Sequence, residues 1–159
     1  RSLFEAARWS MSSFNAQPWR YIVGLRGRTQ ATWDRVHDCL TEGNRGWTAR
    51  VPVLALGLIE RVYSRNGKPN TAAAHDLGAA SAALTYEATA RGITVHQMGG
   101  ILPDRIRELF DLPETVEPRT ALAIGYPADP ANSDPAMVER DARKRERRPL
   151  ESLILHGGF

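Results

Sequence analysis

The chain has 159 residues, 42% of them hydrophobic and 25% charged, with a formal charge of +3 and a sequence pI near 9.4. These values suit one globular domain, residues 1–159, large enough for its own core, and no apolar run approaches the roughly 18 residues that cross a bilayer. The lone cysteine, Cys39, excludes an internal disulfide and fits a reducing cytoplasm, and no basic-then-apolar leader opens the chain.

Leu3, Phe4, Ala6, Ala7 and Trp9 read as the end of an amphipathic helix already under way at Arg1, so an N-terminal part of the fold is expected before it. The polar run Ser10–Trp19 follows. Ser12, Ser13 and Asn15 crowd three hydrogen-bonding side chains into four positions. They suit a helix stop and turn with capped backbone groups, or a polar ligand held beyond the helix end. Pro18 is expected to hold Gln17 extended and to start a strand at Tyr21-Ile22-Val23.

Gly24 to Gly27 marks a turn, and Thr29 suits a cap for a helix to about Leu40 that Gly43 ends. His37 and Cys39 lack the further ligands that a zinc site needs, so they read as packing or surface residues. Asn44-Arg45-Gly46-Trp47 reads as a loop with one buried aromatic. Pro52–Ile59 is continuously apolar, as in a strand covered on both faces. A polar loop over 61–69 leads into an alanine-rich helix from about Thr71 to Arg91, closed by Gly92. His75 and Asp76 are adjacent on it and are expected to face apart.

Ile93-Thr94-Val95 is a short strand that runs into His96-Gln97-Met98-Gly99-Gly100. Paired glycines suit a tight turn, or a close approach of backbone to a planar ligand. His96 reads as structural. Pro103 opens a helix with Ile106, Leu109 and Phe110 on its buried side. Thr120–Tyr126 reads as a core strand closed by Gly125 and Pro127, and 128–135 as a linker. Arg140, Arg143, Lys144, Arg145, Arg147 and Arg148 then form a basic run. It suits a solvated helix face, a nucleic-acid contact, or a clamp on one phosphate, to which Arg forks are matched. No interleaved aromatics or nucleic-acid motif accompany it. Leu150, Leu153, Ile154 and Leu155 suit an apolar arm. No P-loop, G-x-G-x-x-G, HExxH or G-x-S-x-G is present.

The run Met11-Ser12-Ser13-Phe14-Asn15-Ala16-Gln17-Pro18-Trp19 resembles the Pro-Ser-Ser-x-Asn-x-Gln-Pro-Trp signature of the nitroreductase family, with Met11 in place of the usual proline. Asn44-Arg45-Gly46-Trp47, Gly99-Gly100, Ala123-Ile124-Gly125-Tyr126-Pro127 and Arg145-Glu146-Arg147-Arg148-Pro149 resemble further family motifs in the same order. The resemblance implies an α+β fold with a mostly antiparallel central sheet flanked by helices. It also implies an intertwined homodimer with FMN at the interface. The residues so assigned to the cofactor are Ser12, Ser13, Asn15, Gln17, Asn44, Gly99, Gly100, Arg145 and Arg147. Asn44 is assigned to the pyrimidine edge of the flavin, Gly100 to an N–H near flavin N5, and Arg145 and Arg147 to the phosphate. The family's Arg-x-Ser or Arg-Arg-Ser element, which adds phosphate and ring contacts, would precede Arg1. No side-chain catalytic residue is expected, because the cofactor carries the redox chemistry. The implied activity passes hydride from NAD(P)H through the flavin to a nitroaromatic or quinone. A non-catalytic FMN-binding or storage protein is the alternative, with no nucleic acid or membrane partner in either case.

Overall fold

The computed structural model describes residues 1–158. Two compact units divide them, 1–127 and 128–158. In the first, α1 (Ser2–Arg8) and a single 3-10 turn (Ser13–Asn15) precede β1 (Trp19–Leu25). Then come α2 (Gln30–Asp38), α3 (Glu42–Thr48), β2 (Val53–Glu60), α4 (Ala73–Ala90), β3 (Thr94–Met98), α5 (Pro103–Phe110) and β4 (Val116–Gly125). The second unit holds α6 (Pro135–Ala142), capped by the Asp134 carboxylate, with 3-10 turns at Pro130–Asn132 and Leu150–Leu153.

The sheet has the order β1-β2-β4-β3, and every neighbouring pair is antiparallel. β2 is central, and its continuous apolar run packs helices on both faces. Ala55 and Ile59 join Leu122 and Ile124 of β4 beneath α1 and α4. Leu54, Leu56 and Leu58 join Ala121 and Ala123 beneath α2 and α5. The two-residue alternation of a strand sorts these sets to opposite sides. This is the α+β, antiparallel-sheet architecture expected from the sequence.

Gly24 shows why one position of β1 lacks a side chain. A Cβ there would lie inside contact distance of the Trp33 backbone, 2.6 Å from its nitrogen. α2 therefore crosses β1 at backbone range, and Trp33 seats its indole N–H on the Val51 carbonyl at 3.0 Å.

Several local expectations change. Asn44–Trp47 is helical, within α3, rather than a loop, and Gly43 lies inside that helix instead of ending α2. Thr29 does not cap α2 with its side chain; its Oγ1 accepts from the Leu25 N–H at 2.8 Å and closes the turn after β1. The strand expected at 120–127 begins earlier, at Val116, because Glu60 to Leu58 of β2 still pairs with Val116 to Pro118. His37 stacks on Trp33 at 5.0 Å and bonds the Arg45 carbonyl, and Cys39 is wholly buried. Among the described residues no helix is long and apolar enough to cross a membrane.

Candidate functional site

The sequence-assigned residues of the first unit fall into two clusters. The first is the loop before β1. Phe14, Asn15 and Gln17 all have positive φ, at 53°, 52° and 48°. Three non-glycine residues in the left-handed region within four positions store strain, and it persists only where surrounding bonds over-determine it. Those bonds are present. Ser12 Oγ accepts from the Gln17 N–H at 3.0 Å. The Ser13 N–H donates to Asp76 Oδ2 at 3.0 Å, and Ser13 Oγ shares a hydrogen bond with the Tyr63 hydroxyl at 3.1 Å. Gln17 Nε2 donates to the Asn15 carbonyl at 3.2 Å. Gln17 is thus not extended before Pro18, because the Ser12 hydroxyl and its own side chain hold it folded back on the loop. The Asn15 side chain is exposed, and its amide makes no bond among the described residues.

The second cluster joins the α2–α3 corner to the loop after β3. The Gly100 carbonyl accepts from the Thr41 N–H at 3.1 Å, from Thr41 Oγ1 at 3.2 Å and from Asn44 Nδ2 at 3.1 Å. Asn44 Oδ1 accepts in turn from Trp47 Nε1 at 3.4 Å. The Asn44 amide is therefore largely committed to the protein, which leaves one of its N–H bonds for a ligand. A Cβ on Gly100 would fall on the Asn44 amide and the Thr41 hydroxyl, so a side chain there would have to displace the groups that clamp its carbonyl. The Gly99 and Gly100 N–H groups have no acceptor among the described residues. An open cleft of about 710 Å³ adjoins the Thr41 side of this corner, lined by Leu40, Thr41, Glu42, Arg45, Gly46 and Leu102 but by neither glycine. His96 meets the edge of Trp47 at 5.0 Å between ring centroids, a packing contact.

The two clusters share one end of the sheet but not one side. β1 and β3 are its opposite edges, three strand spacings or roughly 14 Å apart. The first cluster is anchored to α4 on one face, and the second to the α2–α3 corner on the other. A single protomer thus holds them apart.

Arg145 and Arg147 lie in the second unit. Both are exposed, and Arg147 Nη1 donates to the Glu146 carbonyl at 2.8 Å. The basic run is not a continuous helix face, since α6 ends at Ala142. Nor is the tail after it a fully extended arm, because Leu150–Leu153 makes a 3-10 turn.

Comparison with known proteins places this geometry. No model of a protein family matches the sequence. A curated relative, an uncharacterized 15.4 kDa protein from the ask 5' region of Mycolicibacterium smegmatis, is 35% identical over 144 residues, 87% of this chain and 95% of the relative. Among solved structures, an oxidoreductase containing FMN is 30% identical and superposes with a TM-score of 0.87, covering 99% of this chain and 80% of that one. A nitroreductase family protein from Clostridium difficile 630 shares the fold at 21% identity and a TM-score of 0.71, over 99% of this chain and 84% of its own. The chain has the fold of the nitroreductases. The nitroreductase fold accounts for the α+β sheet and for the order of the sequence motifs along it.

Two residues of the signature loop's support escaped the sequence. Asp76 is almost fully buried and carries the Ser13 N–H. His75 Nδ1 also reaches Asp76 Oδ1, at 3.4 Å, so these neighbours on α4 do meet, contrary to expectation. The exposed His75 ring folds back over its neighbour's carboxylate. Tyr63 is the second. A signal for Asp76 existed, since it is the one acid between Glu60 and Glu87 and sits in the first turn of an otherwise apolar helix.

Proposed function

We propose that this chain is a nitroreductase-like, FMN-dependent oxidoreductase. It moves hydride from NAD(P)H to an electron-poor acceptor such as a nitroaromatic or quinone, as an intertwined homodimer. The observation that carries the reading is the Gly99–Gly100 loop. Its Gly100 carbonyl is pinned by Thr41 and Asn44, while the Gly99 and Gly100 N–H groups have no acceptor among the described residues. The likeness to an FMN-containing oxidoreductase at 30% identity supports it.

The residues present fit a flavin. Its ring has acceptors along the pyrimidine edge and at N5, and the unbonded groups here are donors: the Gly99 and Gly100 N–H, one Asn44 N–H and the Asn15 amide. When bound, FMN supplies a ring that takes up and gives back two electrons and a proton. The chain's part is to bind and orient. The Gly100 N–H, fixed by the clamp on its own carbonyl, presents a dipole that needs no reorganisation during reaction. The strained Ser12–Gln17 loop offers Asn15 from rigid backbone. Arg145 and Arg147 are assigned to the flavin phosphate by their motif. Because one protomer separates its two clusters, a second copy offers the simplest way to unite them, and paired copies commonly share a two-fold axis.

The test is the absorbance spectrum of the full-length protein as purified. Flavin bands that bleach with NADH or NADPH under exclusion of air, and return on adding a nitroaromatic, are the expected result. Bound flavin that does not bleach would favour the storage reading, and a colourless protein that takes up no added FMN would refute both.

A further inference from the structure

We infer that Arg65 is a specificity-determining residue that recognises an anionic substituent, carboxylate or phosphate, on the molecule entering over the Ser12–Asn15 loop. The inference rests on the oxidoreductase reading above and concerns which substrates that site takes.

Residues 61–70 fold back on themselves between β2 and α4. Val62 bridges Pro69, and the Tyr63 N–H donates to the Lys68 carbonyl at 2.8 Å. This segment is fastened to the signature loop at Tyr63, whose hydroxyl meets Ser13 Oγ at 3.1 Å. The Tyr63 ring also stands edge-on to Phe14, with centroids 5.8 Å apart at 88°. Arg65 approaches both rings, its guanidinium carbon 4.0 Å from the Phe14 centroid and 5.3 Å from that of Tyr63. Phe14 occupies the variable position inside the Ser-Ser-x-Asn signature and is 72% exposed. The cation therefore sits at the mouth of the loop assigned to the cofactor.

Its charge is not spent within the protein. Among the described residues Arg65 forms no ion pair, whereas Arg61 gives an N–H to the Glu114 carbonyl. From 61 to 75 the sequence carries Arg61, Arg65 and Lys68 and no acid. A guanidinium held over an aromatic ring retains N–H groups for a planar anion, and the contact restrains it at lower entropic cost than a free lysine. An arginine that merely shields Phe14 from water would impose no preference for charge.

The test uses the flavin-loaded, full-length protein in steady-state assays with two matched pairs. The acceptor pair is 4-nitrobenzoate and 4-nitrobenzamide, similar in shape and different in charge. The donor pair is NADPH and NADH, which differ by one phosphate. Arg65→Gln is expected to lower, by roughly tenfold in one pair, the ratio of kcat/KM for the member with the extra anionic group to that for the member without it, the loss of a charge-assisted hydrogen bond. Arg65→Lys should lower it less. A fall confined to the first pair identifies an acceptor carboxylate, and one confined to the second a donor phosphate. Unchanged ratios in both pairs overturn the inference while leaving the oxidoreductase reading intact. Flavin-loaded protein that reduces no acceptor with either donor defeats both. Should Arg65→Gln not fold, the wild-type ratios against salt decide the matter: one falling with ionic strength supports recognition of charge, and two flat ones refute it.

Discussion

Asp76 and Ser13, 63 residues apart in the chain, are joined by a hydrogen bond of 3.0 Å from the Ser13 backbone N–H to the Asp76 carboxylate. Asp76 projects from the first turn of α4 and is buried. The bond ties a strained loop to the longest helix among the described residues. Asp76→Ala leaves a part-buried N–H without its acceptor and should cost about 1–3 kcal/mol in urea unfolding. Asp76→Asn keeps an oxygen that can accept, and should cost less. If the loop shapes the flavin site, Asp76→Ala also weakens FMN retention on gel filtration, more than a destabilising core variant on the α2 face does. Equal retention in the two variants would detach Asp76 from the site.

The two glycines after β3 should respond differently to one added methyl group. A Cβ on Gly100 overlaps the Asn44 amide and the Thr41 hydroxyl, while one on Gly99 meets nothing within 4 Å. Gly100→Ala therefore pushes the α2–α3 corner off its carbonyl, at about 1–3 kcal/mol. Gly99→Ala should stay within about 0.5 kcal/mol of the parent. Thermal unfolding of the pair checks the contrast, and matched melting temperatures would mean the clamp yields.

Much of the architecture was legible because burial imposes period. The run Pro52–Ile59 had to be a two-sided strand, observed as Val53–Glu60, and the alanine-rich stretch from about Thr71 to Arg91 had to be a helix, observed as Ala73–Ala90. Asn44–Trp47 was misread as a loop because Gly43 and Gly46 suggest one, whereas packing of Trp47 against the core on the α2 side and the Thr48 hydroxyl on the Asn44 carbonyl at 2.7 Å hold it helical. The motif residues stand out in the sequence, but their bonds do not. That Asn44 serves Gly100, or that Asp76 serves Ser13, depends on contacts 56 and 63 residues apart, which no local pattern encodes. The left-handed backbone at Phe14, Asn15 and Gln17 was hidden for the same reason, since tertiary bonds impose it against local preference.

Gly24 tests the close crossing of α2 over β1. A methyl group there would strike the Trp33 backbone, which cannot move without the whole helix. Gly24→Ala should cost more than about 2 kcal/mol, unlike an alanine at Gly43, where nothing lies within 4 Å. Urea midpoints of the two variants compare them directly. Similar midpoints would show that α2 can lift off the sheet at little cost.

Cys39 gives the fold a dependence on alkaline pH. Burial pushes its thiol up to about 11 from an ordinary 9.0, with Arg105 nearby partly opposing the shift. The folded state thus keeps its proton longer than the unfolded chain. Below pH 9 both states are protonated and this contribution is complete; between pH 9 and about 11 the unfolded thiol ionises first, so stability falls. Two pKa units correspond to a loss of roughly 2–3 kcal/mol. Tyr21, also raised by burial and only partly relieved by its bond to Ser81, adds a decline of the same sign. Cys39→Ala should cost about 1 kcal/mol at neutral pH for the lost packing. It should also flatten, without abolishing, the fall in urea midpoint between pH 8 and 10.5. The native thiol, with none of its surface exposed, should resist a disulfide reagent until the protein unfolds. Rapid labelling under native conditions, or an unchanged alkaline slope in the variant, would show that water reaches this side of the core.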